Sequence, residues 1–182
     1  MTRRRADAVH NRTLLLEAAE AVFLEMGVNA PLDLIAERAG VGRATLFRNF
    51  ADRREILVAL LDYSLVQAEA KASELSRDGQ ALIELLRFLA GRVIYQAPMV
   101  EFWLALGRDS DESRCMIRRL LDMFREPVEW AVEAGTCRSD LTVDDIVILG
   151  LMNTAPLFEA DPKKRSALAN RAWAFQVEIL QP

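Results

Sequence analysis

Apolar residues recur along this chain at intervals of three and four, the spacing of a helix face, and alternation with a period of two is scarce. Leu15, Leu16, Ala19, Val22, Phe23 and Met26 form one such face. They predict a helix over 11–26, closed by Gly27. Leu32, Ile35, Ala36 and Ala39 predict a second helix over 31–39, with Pro31 in the first turn, where no N–H is needed. Gly40-Val41-Gly42 leads directly into a third, over 43–49. Asp52 followed by Glu55 has the form of a capping box and starts a fourth helix, to about residue 75. Further helices are expected over 80–95, 98–106, 112–134, 143–158 and 162–180. Pro127 is expected to kink its helix. Thr142 is expected to cap the next, and Asp161-Pro162 to open the last. The fold class is all-α, with about nine helices and no internal repeat. It divides into an N-terminal unit, 1–54, and a helical body, 55–182.

The first three helices, with a tight glycine turn between the second and third, make a helix-turn-helix. Gly40 lets the chain leave the second helix sharply. Val41 fills the angle between the helices, and Ala36 is small where the third helix approaches. Leu46 and Phe50 anchor that third helix. Arg43, Ala44, Thr45, Phe47, Arg48 and Asn49 are left on or near its free side, the arrangement of a helix that lies in the major groove of DNA. Arg43 suits guanine, Thr45 a thymine methyl or a phosphate, and Asn49 a base edge. Arg53 is placed to meet phosphate. Arg3, Arg4 and Arg5 are expected to form a flexible arm reaching the minor groove. A plain three-helix packing unit with a solvated basic face accounts for the same pattern less completely.

Charge sharpens this picture. The whole chain carries −4, yet the segment through Arg54 has 9 arginines against 7 acids. Arg3, Arg4, Arg5 and Arg12 form one basic cluster, and Arg38, Arg43, Arg48, Arg53 and Arg54 another. A basic head on an acidic body lets one end meet phosphate.

Three stretches, RTLLLEAAEAVFLEMG, LDLIAERAGVGRATLFRNF and ADRREIL, closely resemble the DNA-binding domain of TetR-family repressors. The likeness runs from Arg12 to Leu57, about a quarter of the chain. It implies base or phosphate contacts from Arg43, Thr45 and Arg48. Phe47 stands where the family usually has a phosphate-bonding tyrosine, and Asn49 where histidine is common. Arg53 replaces a phosphate-binding lysine. Ala30 and Pro31 stand where the family often has Thr or Ser. Two missing neutral phosphate hydrogen bonds cost about 1 kcal/mol each, which the extra arginines can offset. The resemblance also implies repression of a palindromic operator by a homodimer, released when a small effector shifts the spacing of its two recognition helices.

The body is larger than DNA binding requires. Tyr95, Met99, Phe102, Trp103, Met116, Met123, Phe124 and Trp130 gather bulky, adaptable side chains where Pro98 and Pro127 interrupt the helices. Individually each reads as core. Together they suggest a mostly apolar ligand site between helices, the place where the resemblance puts an effector. Arg92, Glu101, Arg118 and Arg119 are polar groups of this region, most simply solvated. The last two helices carry more apolar surface than an outer layer needs. Ile148, Leu151, Met152, Ala155, Ala169, Ala172, Trp173, Gln176 and Ile179 form the expected dimer seam, a four-helix interface, unless they close the core of one subunit.

Other chemistry has little support. Cys115 and Cys137 form no C-x-x-C and read as buried free thiols. His10, the single histidine, reads as a solvated terminal residue or one close to DNA rather than a catalyst. No nucleophile–base pair, metal cluster or phosphate-cradling glycine loop is present, so neither an enzyme nor a cofactor is expected. No stretch approaches the roughly 20 apolar residues of a membrane span. No apolar segment follows the basic N-terminus as in a signal peptide, so a cytoplasmic location is expected. The rival reading is a helical dimer that binds ligand or protein and has lost its DNA role.

Overall fold

The computed structural model describes residues 2–95, 102, 110–159 and 161–182, and these are all-helical. The elements are α1 (Thr2–Met26), α2 (Leu32–Arg38), α3 (Arg43–Asn49), α4 (Arg53–Ser73), α5 (Ala81–Tyr95), α6 (Asp111–Glu133), α7 (Asp145–Met152), a 3-10 turn (Ala155–Phe158) and α8 (Pro162–Leu180). None of the helices so described is long and apolar enough to cross a membrane. The helix expected over 98–106 lies outside the described residues, apart from residue 102.

Two cores meet along α4. The first joins α1, α2 and α3 to the N-terminal half of α4, with Leu15, Phe23, Ile35, Leu46, Phe50 and Leu60 nearly inaccessible. The second joins α5, α6, α7 and the end of α8 around Leu85, Phe124 and Ile146, with Ala72 and Leu75 packed against it. The head is therefore built on the same rod that runs into the body. Gly40 adopts φ +66° between α2 and α3. That left-handed conformation is cheap only without a Cβ, and it turns the chain within two residues. Asp52 caps α4 by accepting from the Glu55 N–H at 2.8 Å. Glu55 reaches back to the Ala51 N–H at 2.6 Å, one residue earlier than the standard reciprocal pair.

Several expectations are corrected. α1 begins at Thr2, so Arg3, Arg4 and Arg5 stand on a helical extension rather than an extended arm. No proline or glycine interrupts the run to Met26, so nothing ends the helix earlier. Met26 is 59 % exposed and lies off the core face. Pro31 is the N-cap of α2, not its first residue. α6 runs unbroken through Pro127, whose buried ring packs in the core. That burial offsets the one hydrogen bond its missing N–H removes. Thr142 does not cap α7 in the expected sense. The Asp145 carboxylate accepts from the Thr142 N–H and hydroxyl, both at 2.8 Å, and α7 starts later. It also ends at Met152, because Pro156 cannot continue the hydrogen-bond ladder and the chain tightens into the 3-10 turn.

Candidate nucleic-acid interface

α3 is fixed from beneath by Leu46 and Phe50, both almost fully buried. Its opposite side presents Arg43, Ala44, Phe47 and Arg48 to solvent, and the Phe47 ring is 41 % exposed. The Arg43 guanidinium lies 5.4 Å from that ring and 3.1 Å from the Asp33 carboxylate on α2. Both partners of this ion pair are well exposed, so it is weak and yields readily to a phosphate. Arg48 donates to the Thr45 hydroxyl at 2.9 Å. Thr45 and Asn49 are only half exposed, and the Asn49 amide folds back onto the Thr45 carbonyl at 2.8 Å.

Other predicted DNA-binding residues are engaged inside the protein. Arg12 donates to the Asn49 carbonyl at 3.0 Å and stacks 4.3 Å over the Phe50 ring, so it closes the C-terminal end of α3. Arg53 donates to the carbonyls of Val28 and of Ala30, the latter at 2.7 Å, and lies 5.9 Å from the Phe23 ring. It thereby holds the α1–α2 connection. Ala30 is itself buried. Arg38 forms a two-pronged pair with Glu25 at 2.7 Å; its hydrogen bonds hold that carboxyl below the usual carboxylate range. The side chains of Arg3, Arg4 and Arg5 lie outside the described set. The basic patch thus divides into arginines that build the head and arginines, Arg43 and Arg48, that face outward. In the sequence they look alike, because an internal carbonyl acceptor leaves no mark in the pattern.

Ion pairs also tie head to body. Arg54 on α4 meets Glu112 on α6 at 2.5 Å, and its hydrogen bond lowers the Glu112 pKa. Arg119 on α6 grips Asp62 and, at 2.7 Å, Glu69, both on α4. Arg119 is therefore a structural tie rather than a solvated group of the ligand region.

The bulky residues of the body do not share one pocket. Phe124 is fully buried and lines a cavity of about 160 Å³ between α5, α6 and α7, walled by Leu86, Leu120, Ile146 and Leu151, with Asn153 and Thr154 as its polar groups. Met123 packs at the edge of the second core. Met116 lines a separate cleft against α4. Trp130 lies under Arg77 at 5.2 Å, and Phe102 packs on the head core. Met99 and Trp103, and the side chain of Tyr95, lie outside the described residues. Cys115 is exposed, contrary to expectation, and Cys137 is buried.

On the expected seam, Ile148 is 59 % and Ile179 47 % exposed. Ala155 is exposed, and Leu151, Met152, Ala169 and Ala172 are half-buried. Trp173 packs inward, 5.6 Å from Arg87. Gln176 is a correction: it is wholly buried, donating to the Leu149 carbonyl at 3.0 Å and to Asn153 Oδ1 at 2.9 Å, so it joins α8 to α7 within the subunit. Leu168 and Phe175, not anticipated, are exposed at 47 % and 43 %. With Ala172 and Ile179 they make one stripe along α8.

Residues 15–60 match the model of the bacterial regulatory proteins of the tetR family. A Mycobacterium vanbaalenii TetR transcription regulatory protein of known structure superposes with a TM-score of 0.74 at 26 % identity, over 98 % of this chain and 99 % of that one. The head carries the DNA-binding domain of the tetR family, and the whole chain shares the fold of a TetR regulator. The repressor BepR of Brucella suis is 42 % identical over 62 residues, and the regulator SAB2452 of Staphylococcus aureus 36 % over 62 residues. Those matches cover 34 % of this chain in each case and 30 % and 34 % of the relatives, about a third of their length. The TetR-family likeness at the sequence level is thus concentrated in the head, while the fold is shared throughout. The named relatives are regulators rather than enzymes.

Proposed function

We propose that the chain is a DNA-binding transcriptional regulator, acting as a homodimer that represses from a palindromic operator and is released by a small, mostly apolar effector. The observation that carries this is the outward face of α3: Arg43, Ala44, Phe47 and Arg48 stand free of the core on a helix seated by Leu46 and Phe50. A helix of this exposure enters the major groove, with phosphate neutralised by the two arginines. The apolar stripe of α8, continued by Ile148 on α7, supports a two-fold contact with a second copy. Two such heads read half-sites about 34 Å apart.

The cavity around Phe124 supports an apolar effector. Its volume, about 160 Å³, is that of a site for a single aromatic ring. A larger effector enters only by moving α7 against α6, and that movement gives it different affinities for two states of the protein, the condition for shifting between them.

The test is fluorescence anisotropy of the purified protein with DNA flanking its own coding region, against a scrambled duplex, over a salt series. Selective binding that weakens steeply with salt is expected. Equal, weak binding to both duplexes, unchanged by Arg43→Ala and Arg48→Ala, would reject α3 as a DNA reader and favour a helical dimer without a DNA role.

A further inference from the structure

The two arginines that face outward on α3 are held differently. Arg48 donates to a neutral neighbour, the Thr45 hydroxyl, at 2.9 Å. Arg43 donates to a carboxylate, that of Asp33 in the first turn of α2, at 3.1 Å. Its guanidinium also lies 5.4 Å from the Phe47 ring, one turn further along α3. Contacts on two sides restrict where the fork of Arg43 points, while its side chain stays 70 % exposed and that of Asp33 57 %. A carboxylate so exposed beside the reading helix opposes a polyanion, so its effect on binding depends on what Arg43 meets.

A guanidinium has donors to spare. The Asp33 contact uses one N–H on Nη1, and the O6 and N7 acceptors of a guanine edge take two more. Guanine is neutral, so the ion pair and the base contact coexist. A phosphate is different. The pair is weak enough for a phosphate to open it, but opening leaves the Asp33 carboxylate unpaired beside a second anion. That cost falls on the non-specific contact alone, which is how a repulsive group creates discrimination. We propose that Asp33 is a specificity-determining residue of the DNA interface. It positions Arg43 for the O6/N7 edge of guanine and disfavours the contact of the same arginine with phosphate. Asp33 acts through Arg43, and the proposal rests on the reading of α3 as the DNA-reading helix.

The full chain is used to select duplexes from a random-sequence pool. Affinities for a selected duplex and its scrambled counterpart are then measured by fluorescence anisotropy for the wild type, Asp33→Asn, Arg43→Ala and the double variant. Asp33→Asn is expected to bind the scrambled duplex more tightly and to lose about tenfold in the ratio of the two affinities, the discrimination of one good bidentate base contact. With Arg43→Ala already present, the same replacement is expected to leave the ratio within about twofold. Guanine replaced by 7-deazaguanine, which lacks the N7 acceptor, is expected to weaken the wild type more than Arg43→Ala. Circular dichroism checks the fold of Asp33→Asn, and if it is lost Asp33→Ser takes its place with the same expectation. An unchanged ratio, an equal change with and without Arg43, or no extra loss from 7-deazaguanine in the wild type would overturn the proposal while DNA binding stands. No enrichment of any duplex from the pool would overturn the regulator reading and this proposal with it.

Discussion

Replacing Arg12 and replacing Arg48 should both weaken DNA binding, but with different dependence on salt. Arg12→Ala removes a hydrogen bond from a charged donor to the Asn49 carbonyl at 3.0 Å and a ring contact at 4.3 Å. A charged hydrogen bond contributes about 1.5–3 kcal/mol and a half-buried cation–π contact about 0.5–1 kcal/mol. Because Arg12 is only half-buried, the sum is discounted to about 2 kcal/mol, roughly a thirtyfold shift between a seated and an unseated end of α3. That is the ceiling on the loss of affinity. Every phosphate neutralised by the wild type is still neutralised, so the line of log affinity against log salt should move down without changing slope. Arg48 faces solvent, and its replacement should flatten the slope by about 0.9 for each phosphate it neutralises. Anisotropy titrations from about 50 to about 200 mM salt resolve such a difference. Arg12→Met, which keeps the packed stem, should behave as Arg12→Ala does in slope and lose less affinity. A slope for Arg12→Ala as flat as that for Arg48→Ala would refute the argument, since Arg12 would then be neutralising phosphate.

Other consequences are measurable without DNA. Arg119 holds the Glu69 carboxyl below its usual range through their hydrogen bond. The stability this contributes is complete above the ordinary carboxylate value, near about 4.3, and is lost as pH falls through the lower folded value. Glu69→Gln should therefore cost about 0.5–1 kcal/mol at neutral pH, with the difference from wild type in urea unfolding vanishing in acid; a constant difference contradicts this. Gln176→Leu strands the buried Asn153 amide and removes one of the two donors to the Leu149 carbonyl, and should cost about 1–2 kcal/mol in denaturant unfolding, while a neutral result would mean that α7 and α8 repack. Phe175→Glu on the α8 stripe should yield a monomer in sedimentation at unchanged helix content. A dimer that persists places the interface elsewhere.

The head was the most legible part of the chain. Gly40, Leu46, Phe50 and the Asp52 cap are local devices whose geometry follows from residue type, and each stands where the pattern puts it. What the pattern could not supply was the acceptor of a long side chain. Arg12 reaches Asn49 across 37 positions and Arg53 reaches Val28 across 25, and no periodicity encodes such a pairing. The same limit explains Gln176, which sits on an apolar helix face like a seam residue but finds its partners on α7. In the body, size and adaptability marked Met116, Phe124 and Trp130 as a group, and the helices distribute them to different surroundings. Pro127 misled because its effect on a helix depends on whether its ring is buried.

The double grip of Arg119 gives α4 the mechanics of a pivoted lever. Asp62 lies nine residues from the start of α4 at Arg53, about 14 Å along the axis at about 1.5 Å per residue, and Glu69 about 24 Å. A rotation of about ten degrees about those points carries Arg53, and the first core with it, through roughly 2–4 Å. Nearer the head, the swing is opposed by the Arg54–Glu112 contact, with side chains 55 % and 34 % exposed, and by Arg92 on α5, which lies 3.8 Å from Glu20 on α1. Such a contact is worth at most about 1 kcal/mol. The fold therefore grips α4 at two points deep along its length and by single contacts nearer the head, and a small rotation about the deep points displaces α3 in proportion to the length of the arm.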